Sequence, residues 1–405
     1  MKPSVLLLTV SLTVAWGQYL PYVEAERRIG ELARQHADVI RLETIGTSAG
    51  GRKLLAMTIA AKGPVDPAKR PAVFVGANIV GFHNAGTQAA LALVEKLVAN
   101  KAAPVLATRT FYVIPMLNPD AQDAMFAKAK WRNSLNGAQV DRDVDGLTGE
   151  DGPDDLNGDG RITQMRIADP NGDYLPDPAD ARLLKRVDPL KGEKGQYRLY
   201  TEGADNDRDG QYNEDPAGGH RPDKNFAHAW NDGDPESGPF PGATPEARAV
   251  MDYLLARRNT AYAFVFGPGN NLLDLPRGTG GAATDVGSVR VRPPGFLVAQ
   301  LGLEANTDYT VDEIFNRVQG SAFAAQAGGQ LTKEALASFL GAGPATSPAQ
   351  EDSRYFQTLA EDYKKALDKA GLDSKRSGRQ SQVAGLQNWL YYQYGVMVTE
   401  LDVWG

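Results

Sequence analysis

The chain reads as an α/β protein: a mixed, largely parallel, twisted sheet with helices on both faces. Apolar strand-like runs recur at residues 54–60, 71–77, 111–115, 261–266 and 395–399. Around them, the spacing of apolar side chains predicts helices over 22–36, 87–100, 245–258 and 352–370. Strands that alternate with helices argue for a sheet covered on both sides, because each helix must bury its apolar stripe. Ligand sites in such open sheets lie beyond the carboxyl ends of the strands.

With 405 residues the chain has room for two domains or for one large one, and 42% hydrophobic residues supply a sizeable core. A net charge of −7, with no stripe of Lys and Arg, excludes nucleic acid as an expected partner. Cysteine is absent, so neither disulfides nor a lipid-modified cysteine can form. The first residues combine Lys2, an apolar stretch from Val5 to Val14, and small residues around Trp16 at Ala15 and Gly17. That pattern predicts a cleaved signal peptide over 1–17, with an uncleaved anchor as the alternative, and hence a secreted or periplasmic protein of residues 18–405. No second long apolar run follows, so no membrane span is expected in the mature chain. Nothing in the sequence speaks to oligomeric state.

The middle of the chain points to bound ions. Residues 141–151 (DRDVDGLTGED) and 205–215 (DNDRDGQYNED) share one spacing: Asp at relative positions 1, 3 and 5, Gly at 6, and Glu-Asp at 10 and 11. The first loop offers Asp141, Asp143, Asp145, Glu150 and Asp151; the second offers Asp205, Asp207, Asp209, Glu214 and Asp215. Between them, DLNGDGRIT adds Asp155, Asn157 and Asp159. Calcium takes six to eight hard oxygen ligands, which alternate acidic residues on a tightly curled loop can supply. None of the loops has the Glu at position 12 of an EF-hand; Arg166 stands there in the middle loop. Structural calcium is the expectation, since so many carboxylates would otherwise repel one another.

Residues 72–97 (AVFVGANIVGFHNAGTQAALALVEKL) run from an apolar strand through a Gly/Asn turn into a helix-patterned stretch. Six other segments accompany it: SAGGRKLLAMTIA at 48–60, FYVIPMLNPDAQD at 111–123, KWRNSLNG at 130–137, PDKNFAHAW at 222–230, AFVFGPGNNLL at 263–273 and WLYYQYGVMVTELDVWG at 389–405. In this order they resemble the zinc carboxypeptidases over nearly the whole mature chain, most weakly across 276–380. The Asp-rich insertion, about 137–219, resembles that of a large bacterial secreted branch. The resemblance implies that Arg132 matches the arginine that polarises the scissile carbonyl and contacts substrate. It likewise implies that Glu400 matches the general base. Lys224 falls where an arginine clamps the substrate's terminal carboxylate, with Asn225 retained beside it. The resemblance puts the zinc ligands, a His, a Glu and a second His, at Val80, His83 and Gly267.

Two of those three positions carry no donor side chain. Moving the frame so that His83 becomes the first ligand puts Gly86 where the Glu is needed. A catalytic zinc requires three protein ligands and an open position, so zinc is not expected here although it is typical of the family. Without the ion, water is not acidified toward a pKa of about 7. Lys224 preserves a positive charge but not the planar fork of arginine, and Asp223 brings a negative charge where the family has Asn. His228 and Trp230 match a packing feature, and His220 is expected to be solvated. The expectation is a secreted carboxypeptidase-like protein that is catalytically inactive, with Arg132 and Glu400 vestigial and peptide or protein C-terminal tails as candidate ligands. Two alternatives remain open: an active metallocarboxypeptidase using an unrecognised ligand set around His83, and a calcium-dependent extracellular scaffold.

Overall fold

The computed structural model describes residues 19–99, 104–188, 191–208, 210, 212–213, 215–216, 218–273, 275, 287, 290–304, 307–319, 333–340, 349–375 and 385–403. The expected signal peptide lies outside them. Contacts divide the chain into two units: one of residues 1–187, 194–274 and 361–405, the other of 188–193 and 275–360.

The first unit is built on a six-stranded sheet. Its strands are β1 (Ile40–Thr47), β2 (Lys53–Ile59), β3 (Ala72–Ala77), β4 (Thr110–Ile114), β5 (Thr260–Phe266) and β6 (Met397–Leu401), in the order β1-β2-β4-β3-β5-β6. The β1–β2 and β2–β4 pairs are antiparallel, whereas β4–β3, β3–β5 and β5–β6 are parallel. This is the mixed α/β sheet that the alternating pattern predicts. The unpredicted member is β1: its pattern of one buried residue among half-exposed ones gives no continuous apolar run, and it lies at the sheet's edge.

The two-residue period of a strand sends alternate side chains to opposite faces. Phe74, Tyr112, Ile114, Ala263 and Val265 point to one face, packing with helical residues Val250 and Leu254 and with Trp389 and Leu390. Val75, Ala77, Phe111, Val113 and Phe266 point to the other, against Ile29, Leu32, Leu91, Val94 and Val98. The helices that supply these layers are α1 (Tyr22–Gln35), α2 (Asn84–Ala99) and α4 (Pro245–Leu255); a short α3 (Pro119–Ala124) follows β4. Local chemistry sets two of their starts. Asn118 accepts from Ala121 N at 3.2 Å with Pro119 opening α3, and Thr244 accepts from Ala247 N at 3.4 Å with Pro245 opening α4.

The acidic insertion contains an unpredicted antiparallel sheet, whose spatial order is Gln164–Ala168, Tyr197–Thr201, Tyr174–Pro176, Leu184–Arg186. Its strands are short and half-exposed, so they lack the apolar signal of the main sheet. The second unit has a two-stranded sheet, Arg290–Val291 with Tyr309–Thr310, and a cluster of Val311, Ile314, Phe315, Val318, Leu336 and Ala337. The long helix forecast at 352–370 is observed at Gln350–Lys369.

Phe74 is fully buried at the middle of β3. Phe74→Ala is expected to lower unfolding free energy by about 3–5 kcal/mol, measured by urea denaturation.

Candidate functional site

The parallel strands β3, β5 and β6 end side by side. Val265 pairs with Gly76 on one side and with Glu400 on the other, so the residues after β3 and β5 meet Glu400 at the carboxyl edge. Glu400 is 3% exposed. Its backbone N–H donates to Asn271 Oδ1 at 3.0 Å, its carbonyl accepts from Asn271 N at 3.2 Å, and its Oε1 accepts from Gly269 N at 3.0 Å. Two glycines leave the room this carboxylate takes up. A Cβ at Gly267 would overlap Glu400 Oε1, and one at Gly269 would stand 2.7 Å from its carboxyl carbon. The space beside position 267 is thus filled by the Glu400 carboxylate.

The turn after β3 is equally constrained. Gly81 has φ +76°, and a Cβ there would overlap the side chain of Ala121. Val80 is 4% exposed and packs in the core with Ile79, Leu117 and Phe226. The His83 side chain is 10% exposed, and its Nε2 lies 3.5 Å from Asp402 Oδ1. Arg132 is exposed and places its guanidinium 4.4 Å from the centre of the Phe82 ring, a cation–π contact. Burial holds the His83 pKa below its usual value; Asp402 opposes that shift and Arg132 adds to it. Asp402, just past β6, is the neighbour that motif matching missed. Its only signal was its place two residues beyond Glu400 on the closing strand.

These donors do not make a zinc site. Position 80 is apolar core, position 267 is covered by Glu400, and His83 and Asp402 are two donors where a catalytic zinc needs three. Among the described residues, no group of three or more metal-donor side chains includes His83, Glu400 or Asp402.

The segment expected to hold a substrate carboxylate is internally paired. Lys224 Nζ lies 2.8 Å from Asp234 Oδ2 and 2.7 Å from Glu236 Oε2. Arg221 pairs with Asp223 at 2.6 Å and with Glu236 at 3.6 Å. Burial raises the Asp223 pKa, and Arg221 holds it back. Asn225 is buried and structural in its contacts: Oδ1 accepts from Thr244 N at 2.7 Å, and Nδ2 donates to the carbonyls of Ser237 and Phe240. Asp234 and Glu236 were missed because NDGDPES reads as a generic polar turn. His228 stacks on Tyr392 with ring centres 4.6 Å apart, and Trp230 Nε1 donates to Ser237 O at 3.0 Å. His220 is only half exposed, and burial lowers its pKa.

In the acidic region, one carboxylate oxygen from each of Asp141, Asp143 and Asp145 lies within 4.8 Å of the others, and the same holds for Asp143, Glu150 and Asp215. Buried Asp151 accepts from Asn206 N at 2.9 Å and from Asn213 N, tying the first loop to the second. Asp205 Oδ2 accepts from Gly210 N at 3.1 Å, and Asp207 is half-buried in the same loop. Asp155 accepts from Asp159 N and Gly160 N at 3.0 and 2.8 Å, Asn157 from Asp159 N at 2.8 Å, and Asp159 from Arg161 N at 2.9 Å. Asp209 and Glu214 lie outside the described residues.

Two outcomes follow from this geometry. Gly267→Ala is expected to cost roughly 1–3 kcal/mol by overpacking. Less of that loss is expected in a Glu400→Ala background, giving a coupling of about 0.5–3 kcal/mol in a double-mutant cycle. For His83, the folded pKa lies below the unfolded one, so the unfolded state binds more protons between the two. The stability held by neutral His83 is therefore complete above about pH 6.5 and is lost as the pH falls through the folded value. His83→Gln should flatten the decline of melting temperature between pH 7 and pH 5.

Residues 25–172 match the family model described as zinc carboxypeptidase. The match spans the turn at 78–83 and Arg132, but not the segments around Lys224, Gly267 and Glu400. Comparison with curated proteins finds no match. Solved structures with similarity include carboxypeptidase A from Helicoverpa armigera, at 16% identity and a TM-score of 0.40, covering 62% of this chain and 47% of that one. Bovine thrombin-activatable fibrinolysis inhibitor, solved with a tick carboxypeptidase inhibitor, aligns at 12% identity and a TM-score of 0.38, covering 87% of this chain and 98% of that one. A putative carboxypeptidase from Burkholderia mallei aligns at 14% identity and a TM-score of 0.30, covering 75% and 55%. The chain spans about half the length of the Helicoverpa armigera protein. Over residues 25–172, this chain is similar to the zinc carboxypeptidase family.

Proposed function

We propose that this chain is an exported carboxypeptidase-like protein that has lost zinc-dependent peptidase chemistry and kept the fold. The observation that supports this most directly is the Glu400 carboxylate in the space beside Gly267, together with apolar Val80. A general base acts by taking a proton from an activated water. Among the described residues no three-donor set at this site would activate that water for Glu400. Export is supported by the signal-like first residues, and the described residues contain no helix long and apolar enough to cross a membrane. Calcium belongs to the same proposal, as a structural ion of the acidic loops.

Peptide C-terminal tails are the proposed ligands of the former cleft. Lys224 already faces two carboxylates, so an incoming carboxylate would have to displace them. Arg132 is exposed beside Phe82 and His83 and is the cation better placed to receive it. The active-enzyme alternative draws on His83 and Asp402 as a two-donor start, one donor short of a catalytic zinc set.

Elemental analysis of the dialysed mature protein should find no stoichiometric zinc. A panel of peptides should show no release of C-terminal residues with or without added Zn²⁺. Stoichiometric zinc with chelator-sensitive release would overturn the proposal. For tail binding, fluorescence anisotropy should favour a peptide with a free C-terminal carboxylate over its amide. Arg132→Gln should remove that preference and Lys224→Gln should leave it; equal binding of acid and amide would rule tails out.

A further inference from the structure

We infer that the two acidic loops build one shared calcium site, with Asp143 and Glu150 from the first loop and Asp215 from the second. The inference deepens the calcium part of the proposed function and rests on it. Repetition along the sequence suggests that each loop curls around its own ion. The folded chain instead brings ligands together across the repeat. One oxygen from each of the three carboxylates lies within 4.8 Å of the others. Oxygens that share one Ca²⁺ at roughly 2.3–2.6 Å are at most about 5 Å apart, so the spacing suits a single ion.

The side chains differ from ordinary loop carboxylates in how they are satisfied. Asp215 is 0% exposed; its Oδ1 accepts from Arg142 N at 2.6 Å, while Oδ2 is buried with no hydrogen-bond partner. Both oxygens of Glu150 are also buried without a partner. A buried carboxylate oxygen left this way is costly unless a cation meets it. Among the described residues, no Lys or Arg side chain forms an ion pair with Asp143, Glu150 or Asp215. Arg142, the nearest in sequence, turns its guanidinium to the Gly219 carbonyl. By contrast, both oxygens of Asp155 take backbone N–H groups within their own loop. An all-oxygen, anionic donor set selects a hard divalent cation.

The shared site would act as a staple. Asp151 already ties the loops through backbone bonds from Asn206 and Asn213, and an ion on Asp143, Glu150 and Asp215 would close the same junction from the side-chain direction. Asp143 also belongs to the group with Asp141 and Asp145, so ligation there is coupled to the conformation of the whole first loop.

The test uses the full mature chain, stripped with chelator and titrated with CaCl₂ by calorimetry and by thermal unfolding. Wild type should bind calcium and melt at a higher temperature with it. Asp215→Asn and Glu150→Gln should each weaken binding at least tenfold and abolish the calcium-induced rise. The double variant Asp155→Asn, Asp159→Asn should keep both. Without calcium, Asp215→Asn should melt no lower than wild type, because it removes a buried charge, and this separates loss of the site from misfolding. A calcium response that survives Asp215→Asn and Glu150→Gln but is lost in the Asp155, Asp159 double variant would overturn the shared site and leave calcium in the individual loops. No calcium binding by wild type would remove both the shared site and the calcium reading beneath it.

Discussion

The parallel register of β3, β5 and β6 is the constraint on which the rest of the site depends. Val265 sits between Gly76 and Glu400, and from that pairing everything at the carboxyl edge takes its position. The turn carrying Val80 and His83 leaves β3, the Gly267–Asn271 segment leaves β5, and Glu400 and Asp402 belong to the end of β6. Parallel strands must be covered on both faces, and here two separate apolar layers do so. His83, Glu400 and Asp402 gather at the carboxyl edge, beside core residues Val80 and Phe266.

At that edge, space and charge have been reassigned. At Gly267, the neighbouring Glu400 carboxylate occupies the volume a longer side chain would need. Val80 joins the apolar core. These features support one another physically: a buried Glu400 needs donors, and the backbone of Gly269 supplies one because the absence of a Cβ lets the carboxylate approach. The cation segment shows the same closing-in. Arg221, Asp223, Lys224, Asp234 and Glu236 form a network with three negative and two positive side chains, and such a network satisfies itself before it attracts an anion.

The acidic insertion follows different physics. Its strands are short and half-exposed, so apolar burial contributes little there. Backbone amides donated to Asp141, Asp145, Asp151, Asp155 and Asp159 provide much of the local order. Carboxylates used in this way both shape a loop and concentrate negative charge. One such concentration lies within the first loop and another where the two loops meet.

Much of this was legible in the sequence, and the limits have physical causes. Strand-like runs and helical spacing located β2 to β6 and the principal helices, because buried segments must be apolar at the period of their own backbone. That Val80 and Gly267 cannot ligate a metal was legible because their side chains carry no donor atom in any fold. Edge strand β1 and the small sheet at 164–201 escaped notice, since half-exposed strands carry no such pattern. The partners of the polar groups were decided only by the tertiary structure. Asp402 beside His83, Asp234 and Glu236 on Lys224, and Asp215 beside Glu150 join residues separated by 10 to more than 300 positions. A sequence states which groups can donate, accept or carry charge; which of them meet is set by strand register and turn geometry, which bring distant residues within a few ångströms.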